Sequence, residues 1–288
     1  MPGSPCIIAR MSKYDVEHSQ GRHVVHDGPR QAPPLLLIHG SGASGASWGP
    51  MVPALAGPFH VIRVDLSGCG QSPPSPSYDV PEQARRVAAV LDGLGVRRVA
   101  VAGHSSGGYV ATALAEQHPE LVGSLALIST GPSLDALLPQ PLILRALLGP
   151  PLGPLIWSIR SDAWIRKGLS ATAARPVEIS DDLIAGVRGI KYRTMRTVLR
   201  RNSAYIVERS VPARIAALEI PVLVICGAAD RRWDPASAHQ YDAVPNARVE
   251  MLPGVGHVPL LEAPEETSKL LLGFAATAVD TSPVIPEA

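Results

Sequence analysis

Cysteine is scarce in this chain, and what there is forms no framework. Cys6, Cys69 and Cys226 are the only three in 288 residues. An odd count at wide spacing excludes a disulfide scaffold and a CxxC motif, and points to a reducing compartment. No HExxH or paired-ligand spacing occurs, so neither a metal nor a cofactor is expected. Net charge is almost absent, with 26 Lys and Arg against 25 Asp and Glu. That balance supplies no electrostatic reason to bind nucleic acid or an anionic membrane. Long apolar runs are missing too. Residues 1–13 contain no apolar signal core. The most apolar stretch, 142–159, is broken by Arg145, Gly149, Pro150, Pro151, Gly153 and Pro154, so one helix there cannot span a bilayer. The expectation is a cytoplasmic protein acting on a small molecule; the sequence leaves its oligomeric state open.

With 46% hydrophobic and 18% charged residues, the chain can bury a large core. Its length fits one large domain, or a domain carrying an insertion. Short apolar runs recur at 35–38, 61–64, 99–102, 125–128, 222–225 and 249–252. They are continuous rather than alternating, as expected of strands covered on both faces of a parallel sheet. Helical patterns lie between them at 80–94, 107–117, 236–243 and 264–278, with Pro81 and Pro235 suited to first turns. Residues 13–26 alternate around Gly21 and predict an antiparallel hairpin at a sheet edge. This alternation predicts a doubly wound α/β fold with a mostly parallel sheet. The rhythm stops between 131 and 211, where helical spacing continues without a strand. That segment is expected to be a helical cap (131–211) over a core built from 1–130 and 212–288, lying above the C-terminal strand ends where open α/β sheets bind ligands.

Gly103-His104-Ser105-Ser106-Gly107 follows the 99–102 run and opens a helical run. A serine on a sharp strand-to-helix turn needs neighbours two residues away that are nearly free of side chain, and the turn lifts its hydroxyl clear of the sheet. The helix that follows aims N–H groups at developing negative charge. Gly45-Ala46-Ser47-Trp48-Gly49 satisfies the same G-x-S-x-G pattern but follows a Gly/Ser loop; Ser47 is expected to be a loop or helix-start serine. Downstream, Asp230 and His257 each lie just after a strand run, and Gly254 and Gly256 leave the imidazole room to move.

At this point the chain resembles the α/β-hydrolase superfamily over nearly its whole length outside the insertion. The resemblance implies an eight-stranded sheet and the order nucleophile, acid, histidine, which falls on Ser105, Asp230 and His257. Asp234 competes for the acid role, but its place before Pro235 suits a helix N-cap. His39-Gly40-Ser41-Gly42 is similar to the family's oxyanion loop, and implies backbone donors from Ser41 and Ser106. His39 and His104 are expected in supporting hydrogen bonds, and the remaining six histidines at the surface or in structural roles. The loop from Asp65 to Ser72 resembles a recurring family turn and is taken as structural. A serine at 105 argues against the dehalogenase and epoxide hydrolase branches, whose nucleophile is a carboxylate.

The implied activity is hydrolysis of an ester, lactone or thioester of a moderately apolar small molecule. Carbon–carbon bond hydrolases, haloperoxidase-like esterases and biosynthetic acyltransferases or cyclases would use the same three residues. A ligand receptor on a hydrolase scaffold is the non-enzymatic alternative. Candidate pocket residues are His39, Gly40, Trp48, His104, Leu138, Trp157, Trp164 and Val258, with Leu134, Leu137, Leu142, Ile143, Leu147 and Leu148 as further apolar cap positions. The basic run Arg188, Lys191, Arg193, Arg196, Arg200 and Arg201 either steers an anionic group or forms a solvated helix face.

Overall fold

The computed structural model describes residues 15–139 and 149–280, and side chains as far as residue 276. Eight strands form one sheet: β1 (Asp15–Ser19), β2 (Arg22–Asp27), β3 (Pro34–Ile38), β4 (His60–Val64), β5 (Val99–His104), β6 (Val122–Ile128), β7 (Val222–Gly227) and β8 (Ala247–Leu252). Their spatial order is β1-β2-β4-β3-β5-β6-β7-β8. The β1–β2 and β2–β4 pairs are antiparallel and all others are parallel. The edge hairpin therefore sits where the alternation of residues 13–26 placed it.

The apolar runs are continuous because both faces of the sheet are covered. Leu36, Ile38, Val101, Leu125 and Leu127 face one core with helices α1 (Val80–Gly93) and α2 (Ser106–Gln117). Leu35, Leu37, Ala100, Ala102, Ala126 and Ile128 face the other, with α8 (Pro264–Asp280) and the short 3₁₀ helix Gly45–Met51. Period-two side chains thus fill both cores, as strands of a parallel sheet require.

Between β6 and β7 the described residues form α3 (Leu152–Ser158), α4 (Asp162–Ser170), α5 (Asp181–Arg188), α6 (Tyr192–Glu208) and α7 (Val211–Ile215). A small core of Ile165, Ile179, Leu183, Ile184 and Val187 holds α4 and α5 together. Ser161, Ser180 and Ser210 cap α4, α5 and α7 with their side chains. Leu142, Ile143, Leu147 and Leu148 lie outside the described residues, as does Cys6.

The helix expected over 236–243 is instead a 3₁₀ helix, Pro235–Tyr241, capped by Asp234. Its i→i+3 bonds, such as Ser237 N–H to Asp234 O, suit a tight connector between β7 and β8. The chain passes from β3 outward to β4 and returns to β5 on the other side of β3. This reversal is the switch point at which neighbouring loops diverge and leave a crevice at the C-terminal strand ends.

Candidate active site

Four loops meet at that crevice, following β3, β5, β7 and β8. The β5 loop places Ser105 at φ +52° and ψ −123°, a conformation costly for a residue with a Cβ. Hydrogen bonds from Ser105 N–H to Ile128 O (2.8 Å), and from Gly108 N–H and Thr130 Oγ1 to Ser105 O (3.0 and 3.1 Å), hold it there. The flanking glycines are needed for space. A Cβ on Gly103 would lie 2.6 Å from the Gly107 backbone, and one on Gly107 would lie 2.4 Å from Ile38 O. Gly49 of the second G-x-S-x-G match has nothing within 4 Å. Its serine, Ser47, lies in the first turn of the 3₁₀ helix Gly45–Met51 and donates to Ser44 O.

The structure brings Ser105, His257 and Asp230 together. His257 Nε2 lies 3.0 Å from Ser105 Oγ, and His257 Nδ1 lies 2.9 Å from Asp230 Oδ2. Both the imidazole and the carboxylate are buried. Because Nδ1 faces a carboxylate, the proton belongs on Nδ1 and Nε2 is left as the acceptor toward the hydroxyl. The other Asp230 oxygen accepts from Arg232 N–H at 2.7 Å and Trp233 N–H at 3.2 Å, which orients the carboxylate. Asp234 points elsewhere and accepts from Ala236 N–H at 3.0 Å.

Neither neighbouring histidine is placed to act as a base. His39 Nε2 accepts from Leu66 N–H at 3.0 Å, so Nδ1 carries the proton and donates to Gly40 O at 2.8 Å. Burial holds His39 below the ordinary imidazole range. His104 Nε2 donates to the His257 backbone carbonyl at 3.0 Å, and burial, with His257 nearby, pushes His104 down to about 3. Both are neutral supports of the crevice.

Ser41 and Ser106 lie side by side, but in an unexpected way. The Ser41 N–H donates to Ser106 Oγ at 2.8 Å, and the two hydroxyl oxygens are 2.7 Å apart. The N–H singled out from the sequence thus already has an oxygen before it. Asn202, from α6, donates to Ser41 Oγ at 2.9 Å.

Glu262 is not among the site residues that the sequence pointed to. Its buried carboxylate accepts from Ala174, Arg175 and Gly256 N–H through Oε2 (2.7, 3.0 and 2.8 Å) and from Val258 N–H through Oε1 (2.9 Å). His257 N–H adds a bond to Thr172 O at 3.1 Å. The histidine loop is thereby tied to the turn after α4. Asp65 plays a comparable part on the other flank, accepting from Gly45 N–H, Gln71 N–H and His23 Nδ1. Its loop is structural, as read from the sequence.

A small cavity beside the Ser41–Ser106 pair is lined by His39, Gly40, Leu66, Tyr78, Val110 and Asn202 among others. The candidate pocket residues divide around it. His39 and Gly40 line it, His104 lies beneath the elbow, and Val258 is half-buried against the α8-side core. Trp48 is a correction: it is fully buried in that same core, because the 3₁₀ turn that carries it rolls the indole under the sheet. Trp157 donates to Ile190 O and packs under the Arg160 guanidinium, so it serves the helical segment itself. Trp164 is on the outer side of α4, 39% exposed. Leu138 is half-buried, and its N–H donates to Arg232 O. In the basic run, Arg188 pairs with Asp162 and Arg201 with Asp79, while Lys191, Arg193, Arg196 and Arg200 are exposed.

Among the described residues no cluster of His, Cys, Asp or Glu could hold a metal ion, and no helix is long and apolar enough to cross a membrane.

An open α/β sheet with a strained serine at its switch point defines a hydrolase class. The chain belongs to the alpha/beta hydrolase family, matching it over residues 35–270. Lipase 1 of Psychrobacter immobilis is 31% identical to this chain over 82% of the chain and 74% of the lipase. The pimeloyl-[acyl-carrier protein] methyl ester esterase of Aeromonas hydrophila is 29% identical over 85% of this chain and 96% of that protein. Among solved structures, a membrane phospholipase A superposes with a TM-score of 0.76 at 28% identity, covering 93% of this chain and 87% of that one.

Proposed function

We propose that the protein is a serine hydrolase that cleaves a carboxylic ester, lactone or thioester through an acyl-enzyme. The observation that carries this reading is the unbroken chain from Ser105 Oγ to His257 Nε2 and from His257 Nδ1 to Asp230 Oδ2, at 3.0 and 2.9 Å. A hydroxyl is a weak nucleophile until a base takes its proton in the transition state. His257 takes that proton as Ser105 Oγ attacks the acyl carbon. Asp230 stays ionised, keeps the proton on Nδ1 and stabilises the imidazolium that forms. Negative charge on the carbonyl oxygen collects at the start of α2, where the Ser106 N–H and the helix dipole favour it, and the Ser41 N–H joins once Ser106 Oγ, its partner at 2.8 Å, turns away. His257 then protonates the departing alcohol or thiol. In the second half-reaction it deprotonates water, which attacks the acyl-serine and releases the acid. The described helices α3 to α6 between β6 and β7 act as the cap over this site.

The substrate class rests on the chemistry of the three residues and on relatives named as esterase, lipase and phospholipase. Two measurements test it. A fluorophosphonate probe is expected to label the wild-type protein and to leave Ser105→Ala unlabelled, and a nitrophenyl ester panel is expected to give turnover that the same substitution abolishes. Equal labelling of both proteins would refute the assignment of Ser105. Turnover of vinylogous diketones without esters would move the activity to carbon–carbon cleavage.

A further inference from the structure

We infer that Thr130 is a positioning residue for the oxyanion donor, and that its hydroxyl acts through the Ser105–Ser106 peptide plane to aim and strengthen the Ser106 N–H. The role rests on the ester-hydrolase reading above and adds to it a residue from the turn after β6.

The Ser105 carbonyl and the Ser106 N–H belong to one planar trans peptide group, so C=O and N–H point in opposite directions. Whatever holds the oxygen therefore aims the hydrogen. Two donors hold Ser105 O: the Gly108 N–H at 3.0 Å, from the first turn of α2, and Thr130 Oγ1 at 3.1 Å, from outside that helix. Both Gly108 and Thr130 are buried, so the oxygen faces the interior and the Ser106 N–H faces away from it. Ser106 is the first residue of α2, and its N–H has no acceptor within the helix. A peptide group whose carbonyl accepts hydrogen bonds is also a stronger donor, because each bond polarises the group as a whole. Thr130 thus contributes to the direction and to the strength of the donor without touching the substrate.

Thr130 reaches the elbow because the chain turns sharply after β6. Ser129 adopts φ +48°, costly for a residue with a Cβ, while its N–H is bonded to Ile225 O at 2.8 Å. Tyr241, fully buried on the 3₁₀ helix after β7, donates to Thr130 O at 3.0 Å and fixes the residue from the other side. On α2, a Cβ at position 108 would run into Thr130 Oγ1, so the glycine makes the approach possible. A strained residue, a buried tyrosine hydroxyl and a glycine all serve this one bond. Thr112 supplies the contrast. It is as well buried and lies on the same helix, but its Oγ1 donates to Gly108 O at 2.8 Å, a peptide group further into α2.

One readout needs no activity. Ser105-Ser106 is the only Ser-Ser step in the chain, so protein carrying serine labelled with ¹³C at the carbonyl and with ¹⁵N gives a single carbonyl-coupled amide signal, that of the Ser106 N–H. In Thr130→Val, which keeps the shape and loses the hydroxyl, the Ser105 carbonyl carbon and the Ser106 amide are expected to move upfield; in Thr112→Val they are expected to stay. The second readout is fluorophosphonate inactivation, resolved into probe binding and the chemical step, with the phosphoryl oxygen of the probe in the oxyanion's place. Thr130→Val is expected to slow the chemical step about 5- to 30-fold, less than the roughly 10²–10³ of a deleted oxyanion donor because the Ser106 N–H remains. Probe binding and the pH midpoint of the reaction are expected to hold, since His257 keeps its bonds to Ser105 and Asp230. Thr130→Ser is expected to recover most of the rate, and Thr112→Val to react as the wild type does. If far-UV circular dichroism shows Thr130→Val unfolded, Thr130→Cys, whose S–H is a weak donor, takes its place in both measurements. An unmoved Ser106 signal, or a chemical step within about twofold of wild type, would overturn the inference. So would an equal loss in Thr112→Val, or a moved pH midpoint, which would put the damage at the helix or at His257 instead. Undiminished labelling of Ser105→Ala would bring down the hydrolase reading, while the amide signal would still report whether Thr130 holds the Ser106 N–H.

Discussion

Replacing Glu262 by Gln tests how tightly the histidine loop is held. The exchange preserves shape but removes the charge and turns one acceptor into a donor. Oε2 serves three N–H groups and Oε1 serves one, so the amide oxygen is expected to keep the site of three. Each of those bonds passes from charge-assisted to neutral and loses about 1 kcal/mol. The amide nitrogen then faces Val258 N–H, donor against donor, and strands a buried polar group at a cost of about 2–3 kcal/mol. The sum is about 5–6 kcal/mol, a large share of the roughly 5–15 kcal/mol that holds a domain folded. At about 2–4 °C per kcal/mol for a chain near this size, the Tm is expected to fall by on the order of 10–20 °C. Two of the four donors flank His257, so its imidazole loses its fixed position as well. At a temperature where circular dichroism shows the variant folded, fluorophosphonate labelling is expected to slow by about 10- to 100-fold, since small misplacements of a reacting group are costly. Differential scanning calorimetry and labelling kinetics read the two effects separately. A Tm within about 3 °C of wild type with an unchanged labelling rate would refute the claim that this carboxylate positions the loop.

Other substitutions separate residues that look alike in the sequence. Asp230→Asn is expected to cut ester turnover by about 10³–10⁴, because the amide no longer holds the His257 tautomer; Asp234→Asn is expected to leave turnover intact and cost at most about 1 kcal/mol in urea denaturation. Equal losses would mean that the acid has been misassigned. Gly107→Ala drives a Cβ into the Ile38 carbonyl and is expected to yield little soluble protein, whereas Gly49→Ala meets open space and is expected to express normally; matching yields would refute the steric account. Acid sensitivity is expected from His26, whose Nδ1 lies 2.9 Å from His60 Nε2 at the β2–β4 edge. Burial, with Arg30 and His60 adding to it, lowers His26 to about 4 against the opposing pull of Asp15 and Asp27. The unfolded chain takes up this proton near pH 6.5 and the folded one only near 4, so stability is full above about pH 6.5 and falls as pH drops toward 4. His26→Gln is therefore expected to flatten the slope of urea stability between pH 7 and 4.5, and an unchanged slope would refute this account.

The strands were legible because their code is local. Leu35 to Ile38 form a run too apolar for a one-sided strand, and the sheet does cover both faces. The elbow was legible for a related reason: Gly103 and Gly107 stand where backbone passes too close for a Cβ, and that need shows as residue type at fixed spacing. The order of Ser105, Asp230 and His257 came through family resemblance. Trp48 was misread because an aromatic beside a glycine-rich loop gives no sign of which way the loop rolls; Asn202 was passed over because its partner is remote, and Glu262 was given no role at the site because two of its partners, Ala174 and Arg175, are remote.

The amino-acid sequence by itself determined the two-sided strands, the turn that strains Ser105 and the loops that follow each strand, since each depends on a few neighbouring residues and the volume they leave. Only the folded chain decided that Glu262 reaches Ala174, 88 residues away, and that Asn202 reaches Ser41, 161 residues away. Hydrogen-bond partners at such separations are set by how dense packing brings helices onto the sheet edge, and a buried polar group takes whichever partner that packing delivers.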